Sequence, residues 1–231
     1  MAIIMYDLAM AEANRRPSPY CWRTLMALAH KELEVETVPW RRTDKDKLPK
    51  PNDGKVPVIM DADRVIHDSP AIADYLEAHY PDRPSLFRGE GGRMVMRFVQ
   101  DWTEAIVFPG VIRMTALDGL RHQTPEGAAQ MRRQREAQLG MTMEEFVGDR
   151  DAQLPAFRAS LDPLRRTLRH QPFVAGDTPA YADYIVFGAF QWARSISDFE
   201  LLAQDDSIRA WRGRMLDLFG GLARKTLAYG D

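Results

Sequence analysis

The chain has 231 residues, 45% of them apolar, and its 31 Lys and Arg nearly balance its 33 Asp and Glu, for a formal net charge of -2. A chain of this length buries a substantial core, in one large domain or two small ones. The balanced charge argues against nucleic acid or an anionic membrane surface as a partner. No stretch approaches the roughly 20 apolar residues that span a bilayer, and we expect a cytoplasmic protein.

Cysteine and histidine are too sparse to indicate a disulfide or a metal cluster. Cys21 is the only cysteine, which excludes an intrachain disulfide and a cysteine-based zinc site and agrees with a reducing compartment. The five histidines show no metal-ligand spacing, such as two four residues apart on a helix. The sequence therefore predicts no bound metal.

The first eighty residues alternate between strand-like and helix-like segments. The pattern predicts strands at 3–7, 34–39, 56–60 and 64–66, and helices at 18–31 and 69–79. This alternation is typical of a small α/β domain, which we place at residues 1–81.

A proline-rich stretch follows this domain. Pro81 and Pro84 disfavour both helix and strand and predict a linker at residues 82–91. Beyond the linker, apolar residues recur every three or four positions, as they do in helices. They include Met94, Phe98, Trp102, Ala105 and Ile106, and later Phe157, Leu161, Leu164 and Leu168. Residues 92–231 are therefore predicted to form an all-helical domain.

Segment 121–153 is the most polar part of the helical half. It holds an Arg- and Gln-rich helical stretch between Gly127 and Gly148. Two interpretations are open, namely a solvated helix face and a lid over a cleft.

One predicted helix start has the features of a reactive site. Residues 18–23 read Ser-Pro-Tyr-Cys-Trp-Arg, after an apolar strand and before a helix rich in Ala and Leu. The free N–H groups and positive dipole at a helix N-terminus favour an anion at Ser18. Pro19 fits this first turn, where its missing N–H costs nothing. The run has the form of the thiol–disulfide motif Cys-Pro-Tyr-Cys with serine for the first cysteine, which disfavours dithiol redox chemistry.

Two further segments are candidate ligand sites. In Lys55-Val56-Pro57 a proline stands at a strand entrance, where a cis bond fits and the backbone of Val56 is left for an extended peptide. An edge-strand proline without a ligand is the alternative. Asp68-Ser69 precedes a helix, so Ser69 is a candidate N-cap whose backbone N–H could hold a carboxylate. The alternative is a helix cap and nothing more.

Taken in order, these segments make the chain resemble the glutathione transferases over essentially its whole length. The marks are Tyr6 in the first strand, residues 18–23, Lys55-Val56-Pro57, Asp68-Ser69-Pro70-Ala71-Ile72, Tyr80-Pro81-Asp82-Arg83-Pro84 and the run at 173–183. The resemblance implies an N-terminal thioredoxin-like domain that binds glutathione. It also implies a C-terminal helical bundle that contributes the electrophile site, and a homodimer.

The resemblance implies roles for individual residues. Ser18 would donate a hydrogen bond to the glutathione thiolate, which lowers the thiol pKa without making serine the nucleophile. Val56 would pair with the cysteinyl backbone and Pro57 would be the family's cis-proline. Asp68 and Ser69 would bind the γ-glutamyl end of glutathione.

A basic residue would bind the glycyl carboxylate of glutathione. The candidates are Arg41, Arg42 and Lys55, and we assign the role to Arg42 and Lys55. Tyr6 stands near the position of a catalytic tyrosine in other classes, although a tyrosine in a central strand more often packs.

Other residues near the helix start are expected to be structural. Cys21 is read as a small buried hydrophobe, with a redox partner as the alternative. Trp22 is expected to pack, and Arg23 to pair with a charge within the fold.

The run at 173–183 resembles the family's capping motif at the start of a buried helix. Asp183 is present, but Ala180 stands where the family usually has Ser or Thr. The reciprocal capping box is therefore expected to be incomplete, and Thr178 is not expected to replace the missing hydroxyl.

Within the family, the chain is most similar to bacterial β-aryl-ether-cleaving enzymes and their fungal relatives. An apolar wall for an aromatic electrophile is one interpretation of a helical stripe, and helix core is the other. The stripe consists of Phe108, Val111, Ile112, Met114, Met143 and Phe146.

We predict a glutathione S-transferase in which the thiolate, activated by Ser18, attacks an apolar, aromatic electrophile. Glutathione-dependent β-aryl-ether cleavage or isomerisation on the same site are the enzymatic alternatives. A non-catalytic binding or interaction protein with this fold is the alternative from another class, and the intact Ser18, Pro57 and Ser69 argue against it.

Overall fold

A computed structural model describes residues 2–230. Its N-terminal part is a four-stranded sheet of β1 (Ile3–Leu8), β2 (Val35–Trp40), β3 (Val58–Asp61) and β4 (Arg64–His67), in the order β2-β1-β3-β4. β1 is parallel to β2 and antiparallel to β3, which is antiparallel to β4. The parallel pair needs a crossover connection, which α1 (Pro19–His30) supplies.

The sheet register places β1 at the centre of the domain. Ile3 pairs with Val35 of β2, and Tyr6 pairs with Val58 of β3. Met5, on the buried face of β1, has no exposed surface. β1 is thus an interior strand, and its C-terminal end at Leu8 leads into the loop that precedes α1.

Nine further helices follow in chain order within the described residues. They are α2 (Ser69–His79), α3 (Glu90–Trp102), α4 (Phe108–Leu120), α5 (Pro125–Leu139), α6 (Met143–Val147), α7 (Arg150–Ser160), α8 (Asp162–Thr167), α9 (Tyr181–Ile196) and α10 (Ser207–Gly221). The backbone leaves the helical conformation within α10, at residues 218–220. The predicted fold class is confirmed: an α/β domain of thioredoxin type precedes a helical domain.

A wide π-helical turn, Thr103–Val107, joins α3 to α4. Pro109, in the first turn of α4, has no N–H and would clash with the carbonyl four residues earlier in a regular helix, so a wider turn accommodates it. Glu104 of this turn ion-pairs with buried Arg23 of α1 at 2.8 Å. The expected charge partner of Arg23 thus comes from the helical domain.

The core of the helical domain is α9, in which nearly every residue is buried. It packs against α1, and Gly188 of α9 lies against the backbone of Pro19. Any Cβ at position 188 would fall inside the contact distance of the Pro19 carbonyl, so only glycine allows this approach.

The start of α9 has half of a capping box. Asp183 accepts hydrogen bonds from the indole of Trp211 and from the backbone N–H groups of Val174, Ala175 and Ala180. Ala180 has no side-chain acceptor, and Thr178 bonds to Arg88 instead of the helix. The expectation of an incomplete box is correct, and Asp183 stabilises the turn from one side.

Among the described residues, none of the helices combines the length and the apolar content that a membrane crossing requires.

Candidate active site

A cleft of about 350 Å³ lies between the two parts of the protein. We call its lining from the first domain the sheet side; it comprises Leu8, Ser18, Pro19, Tyr20, Trp40, Arg42, Lys55 and Val56. We call the facing residues the helical side; they are Phe108, Ile112, Arg135 and Trp192.

Ser18 is the N-cap of α1 and is 4% exposed. Its Oγ accepts a hydrogen bond from the backbone N–H of Cys21 at 3.2 Å. The Ser18 side chain also contacts the thiol of Cys21, which is a weak acceptor when protonated, so the hydroxyl proton can turn to a ligand thiolate. Pro19 has no N–H, and the Tyr20 N–H has no acceptor among the described residues. The start of α1 therefore offers an anion one hydroxyl and one amide donor.

A buried group of titratable side chains lies beneath Ser18. Asp7 at the end of β1 is 3% exposed, contacts the thiol of Cys21, and ion-pairs with Arg16 at 3.3 Å. Burial raises the pKa of Asp7 to about 6 despite the opposing effect of Arg16. Burial also raises the pKa of the Cys21 thiol well above its usual range. Cys21 is therefore a protonated, buried thiol, in accord with the structural interpretation.

Val56 lines both the first cavity and a second one of about 460 Å³, and Pro57 lines the second. The Val56–Pro57 peptide bond is cis, the geometry that fits this strand entrance. Strand pairing begins only at Val58, so the backbone of Val56 takes part in none of the sheet pairs. An extended ligand could pair with it there.

Asp68 and Ser69 lie at the start of α2, but in different positions from those predicted. Asp68, not Ser69, occupies the N-cap, because the backbone of Asp68, with a φ of 71°, is not helical and the helix begins at Ser69. The Asp68 carboxylate makes no capping hydrogen bond and borders the second cavity. Ser69 is 1% exposed, and its hydroxyl has no hydrogen-bond partner among the described residues.

The three basic candidates differ in their surroundings. Arg41 donates to the carbonyls of Met10 and Ala11, both at 3.0 Å, and does not line the cleft. Lys55 lines both cavities and pairs with exposed Asp53 at 3.3 Å. Arg42 lines the cleft without an ion pair in the described part of the chain. The structure thus separates Arg41 from the other two.

The helical side is built mainly by α4, α5 and α9. Two smaller cavities adjoin the cleft there, one of about 120 Å³ and an apolar one of about 40 Å³. The apolar one is lined by Ile112, Ala116, Met131, Arg135, Leu139, Met143, Phe146 and Trp192. Of the predicted wall, Val111 and Met114 point into the core instead and are 0% and 2% exposed. For these two residues the helix-core interpretation holds, because they lie on the face of α4 that packs inward.

Helix α5, within segment 121–153, has both a solvated face and a face along the cleft. One face is solvated, and the other places Met131, Gln134, Arg135 and Gln138 along the cavities. The spacing of these residues by three and four positions is the signal that could have identified a cleft-facing side. Leu8, Trp40, Arg135 and Trp192 line the cleft without having been predicted as site residues.

Three neighbours of the site are structural, as expected. Tyr6 is half-buried and lines none of the cavities described above. Trp22 is buried and donates through its indole N–H to the Arg16 carbonyl at 2.7 Å. Arg23 lies over the ring of Tyr20, 4.7 Å from its centroid, and so fixes an aromatic side chain of the cleft.

Two family models match the chain in the order of its two parts. The model described as Glutathione S-transferase, N-terminal domain, matches residues 14–84, and the one described as Glutathione S-transferase, C-terminal domain, matches residues 95–221. The chain belongs to the glutathione S-transferase family. Glutathione is accordingly the co-substrate of this transferase, and the matched N-terminal segment contains Ser18, Val56 and Asp68.

Solved structures of other glutathione transferases share the fold over nearly the whole chain. One from Phanerochaete chrysosporium is 26% identical, with a TM-score of 0.74, and the match covers 97% of this chain and 94% of that one. One of Ceriporiopsis subvermispora in complex with glutathione is 23% identical, with a TM-score of 0.71 and the same coverage, 97% and 94%. One from Rhodospirillum rubrum is 20% identical, with a TM-score of 0.68 and coverage of 96% and 92%.

Proposed function

We propose that this glutathione transferase uses Ser18 to stabilise the thiolate of glutathione, which then attacks an apolar, aromatic electrophile. The observation that carries the proposal is the hydrogen bonding of Ser18. Its oxygen accepts from the Cys21 N–H, and among the described residues its proton faces no acceptor stronger than the protonated Cys21 thiol, so a thiolate at the N-terminus of α1 could take it. A donor held in this way needs no reorganisation when negative charge develops on sulfur.

Glutathione would lie along the two connected cavities. The γ-glutamyl end would reach Asp68, whose carboxylate borders the second cavity without capping α2, and the start of α2 at Ser69, whose buried hydroxyl has no hydrogen-bond partner among the described residues. The cysteinyl backbone would pair with Val56, and the glycyl carboxylate would approach Arg42 and Lys55. This order brings the sulfur to Ser18 and the Tyr20 N–H.

The electrophile would lie on the helical side. Phe108 packs edge-on against both Tyr20 and Trp192, with ring centroids 6.1 Å and 6.2 Å apart, so aromatic surfaces extend from the thiolate position across the cleft. The thiolate would form a sulfur–carbon bond, and the leaving group would depart with the electron pair of the broken bond. Conjugation, ether cleavage and isomerisation all begin with this attack.

The experiment that tests the role of Ser18 is a pH titration of the thiolate absorbance of bound glutathione. We expect a depressed thiol pKa in the wild type and a rise of about one unit or more in Ser18→Ala, because one donor to the charged form is lost. Turnover should fall about 100-fold, while glutathione affinity stays nearly constant. Ser160→Ala, which removes a hydroxyl bonded to the Phe157 carbonyl, is the control. Identical titrations in all three proteins would remove Ser18 from the mechanism.

We also propose that the chain forms a homodimer through α3. Met94, Val95 and Phe98 are 72%, 64% and 73% exposed, and such a patch on one helix favours burial against another copy. Sedimentation equilibrium of the full chain should give a dimer, and Phe98→Asp should shift it toward monomer. A wild-type monomer at micromolar concentration would contradict the proposal.

A further inference from the structure

Two arginines of the cleft have no carboxylate partner among residues 2–230. Within the described part of the chain, Arg42 makes no ion pair or hydrogen bond, and Arg135 approaches only the side chain of Gln138, at 3.5 Å. On the same helix, Arg132 pairs with Glu136 at 3.0 Å and with Glu144 at 2.7 Å. Carboxylates are thus present on this part of the surface, but none faces Arg135.

Arg135 lies where the cavities meet. It lines the main cleft, the small cavity next to Met10 and the apolar cavity next to Phe146, and Arg42 lines the first two of these. Desolvation and the nearby charge of Arg135 lower the pKa of Arg42. Because a guanidinium stays protonated at any physiological pH, the two like charges face a shared cavity unneutralised. An anion bound between them would relieve this repulsion.

The apolar cavity next to Phe146 differs from the small cavity next to Met10, whose lining includes Gln123, Gln134 and Gln138. Beyond Arg135, the smallest cavity is lined only by aliphatic, thioether and aromatic side chains and by the indole of Trp192. A ligand that fits both features has an apolar body and one acidic group. Arginine favours a carboxylate in particular, because its planar fork matches the two oxygens.

We propose that the electrophile of this enzyme carries a carboxylate, which Arg135 binds together with Arg42 while the apolar body lies against Trp192 and Phe108. The inference rests on the proposed function, since it specifies the second substrate of the same cleft. Arg42 is shared with the glycyl carboxylate of glutathione in that proposal. Arg135 is therefore the residue whose substitution separates the electrophile from glutathione.

A matched pair of probes tests the charge of the electrophile. One is chlorodinitrobenzoate with chlorine para to the carboxylate, and the other is its methyl ester, which has the same ring and no charge. In both, the thiolate forms a bond to the ring carbon that bears chlorine, and chloride leaves with the bonding electrons. The ratio of kcat/KM for the two probes, compared between variants, cancels their different intrinsic reactivity.

Arg135→Gln should lower kcat/KM for the carboxylate about tenfold or more and for the ester less than about twofold. The KM for glutathione and the thiol pKa should stay unchanged. Arg133→Gln is the matched control, because Arg133 is an exposed arginine of the same helix that lines none of these cavities. Equal losses for both probes would overturn the inference. So would a rise in the KM for glutathione alone, which would assign Arg135 to the glycyl carboxylate.

A binding measurement separates failure of this inference from failure of the proposed function. Dinitrobenzoate has no leaving group, so its binding, measured by calorimetry, does not depend on turnover. Binding weakened about tenfold by Arg135→Gln and not by Arg133→Gln, in a protein without thiolate activation, would support the anion site and refute the role of Ser18. Normal turnover without any preference for the carboxylate would refute the inference and leave the role of Ser18 intact.

Discussion

The two sides of the cleft differ in how their polar groups are held. On the sheet side, Ser18 is fixed by the Cys21 N–H, and Asp7 beneath it is fixed by Arg16. On the helical side, Arg135 has only a long hydrogen bond to Gln138. The sheet side is therefore organised before any ligand binds, as a thiolate-stabilising site requires. Among residues 2–230 the charge of Arg135 has no carboxylate partner, which agrees with the anion site proposed above.

The two sides also differ in how the chain builds them. Residues of the sheet side come from short segments, 18–20 and 55–56 among them, that adjoin a strand or open a helix. Those of the helical side come from positions 108, 112, 135 and 192, on three separate helices. The sheet side is thus encoded locally, and the helical side exists only after the helices pack.

The largest expected effect tests whether the buried carboxyl of Asp7 destabilises the folded protein. The pKa of Asp7 is raised from 3.8 to about 6, so between these pH values the folded state binds a proton that the unfolded state has lost. The free energy of unfolding must then fall as pH rises through this window. A pKa difference of about two units corresponds to about 3 kcal/mol of unfolding free energy. The folded protein loses this full amount once the pH exceeds the pKa of Asp7 in the folded state.

Asp7→Asn removes this titration. Urea unfolding at a series of pH values should show the variant gaining on the wild type from pH 4 to pH 7, by up to about 3 kcal/mol. Asp177→Asn, at an exposed position of the helical domain, supplies the baseline for loss of one carboxylate. A constant difference between Asp7→Asn and wild type across the window would show that Asp7 is not a buried, destabilised acid.

The sequence predicts the locally encoded sheet side better than the helical side, which separate helices build. Ser18 at a helix start and Val56-Pro57 at a strand entrance were predicted because each leaves a signal within a few residues. The four strands and both helices of the first domain were predicted to within about two residues for the same reason. The N-cap of α2 was misplaced by one residue, because Asp68 and Ser69 are adjacent and both residue types are favoured at an N-cap.

Tertiary packing decided what the sequence could not. Val111 and Ile112 are neighbours with similar side chains, yet one is core and the other lines the cleft. Arg135 is one of several arginines in a polar helix, and only its place beside Trp192 distinguishes it from Arg133. Periodicity predicts that α5 has two faces, but not which face meets the cavity.

The smaller expected effect tests the border between the two sides, where Gly188 of α9 meets the start of α1. A Cβ at position 188 would lie 2.5 Å from the carbonyl oxygen of Pro19 and 3.1 Å from its carbonyl carbon. Backbone atoms cannot rotate away as a flexible side chain can, so Gly188→Ala must displace α1 or α9 and cost about 2 kcal/mol in unfolding free energy. Because Pro19 follows Ser18 directly, the thiol pKa of bound glutathione should rise as well.

Gly213→Ala is the control for this substitution. Gly213 also lies within a helix, α10, but no atom would lie within 4 Å of its added Cβ. There alanine should stabilise the protein by about 0.5–1 kcal/mol, because it restricts the unfolded chain and favours the helix. Opposite signs for the two substitutions, with a change in thiol titration only at position 188, would show that α9 positions the sheet side of the cleft. Equal effects would mean that the site is held within the first domain alone.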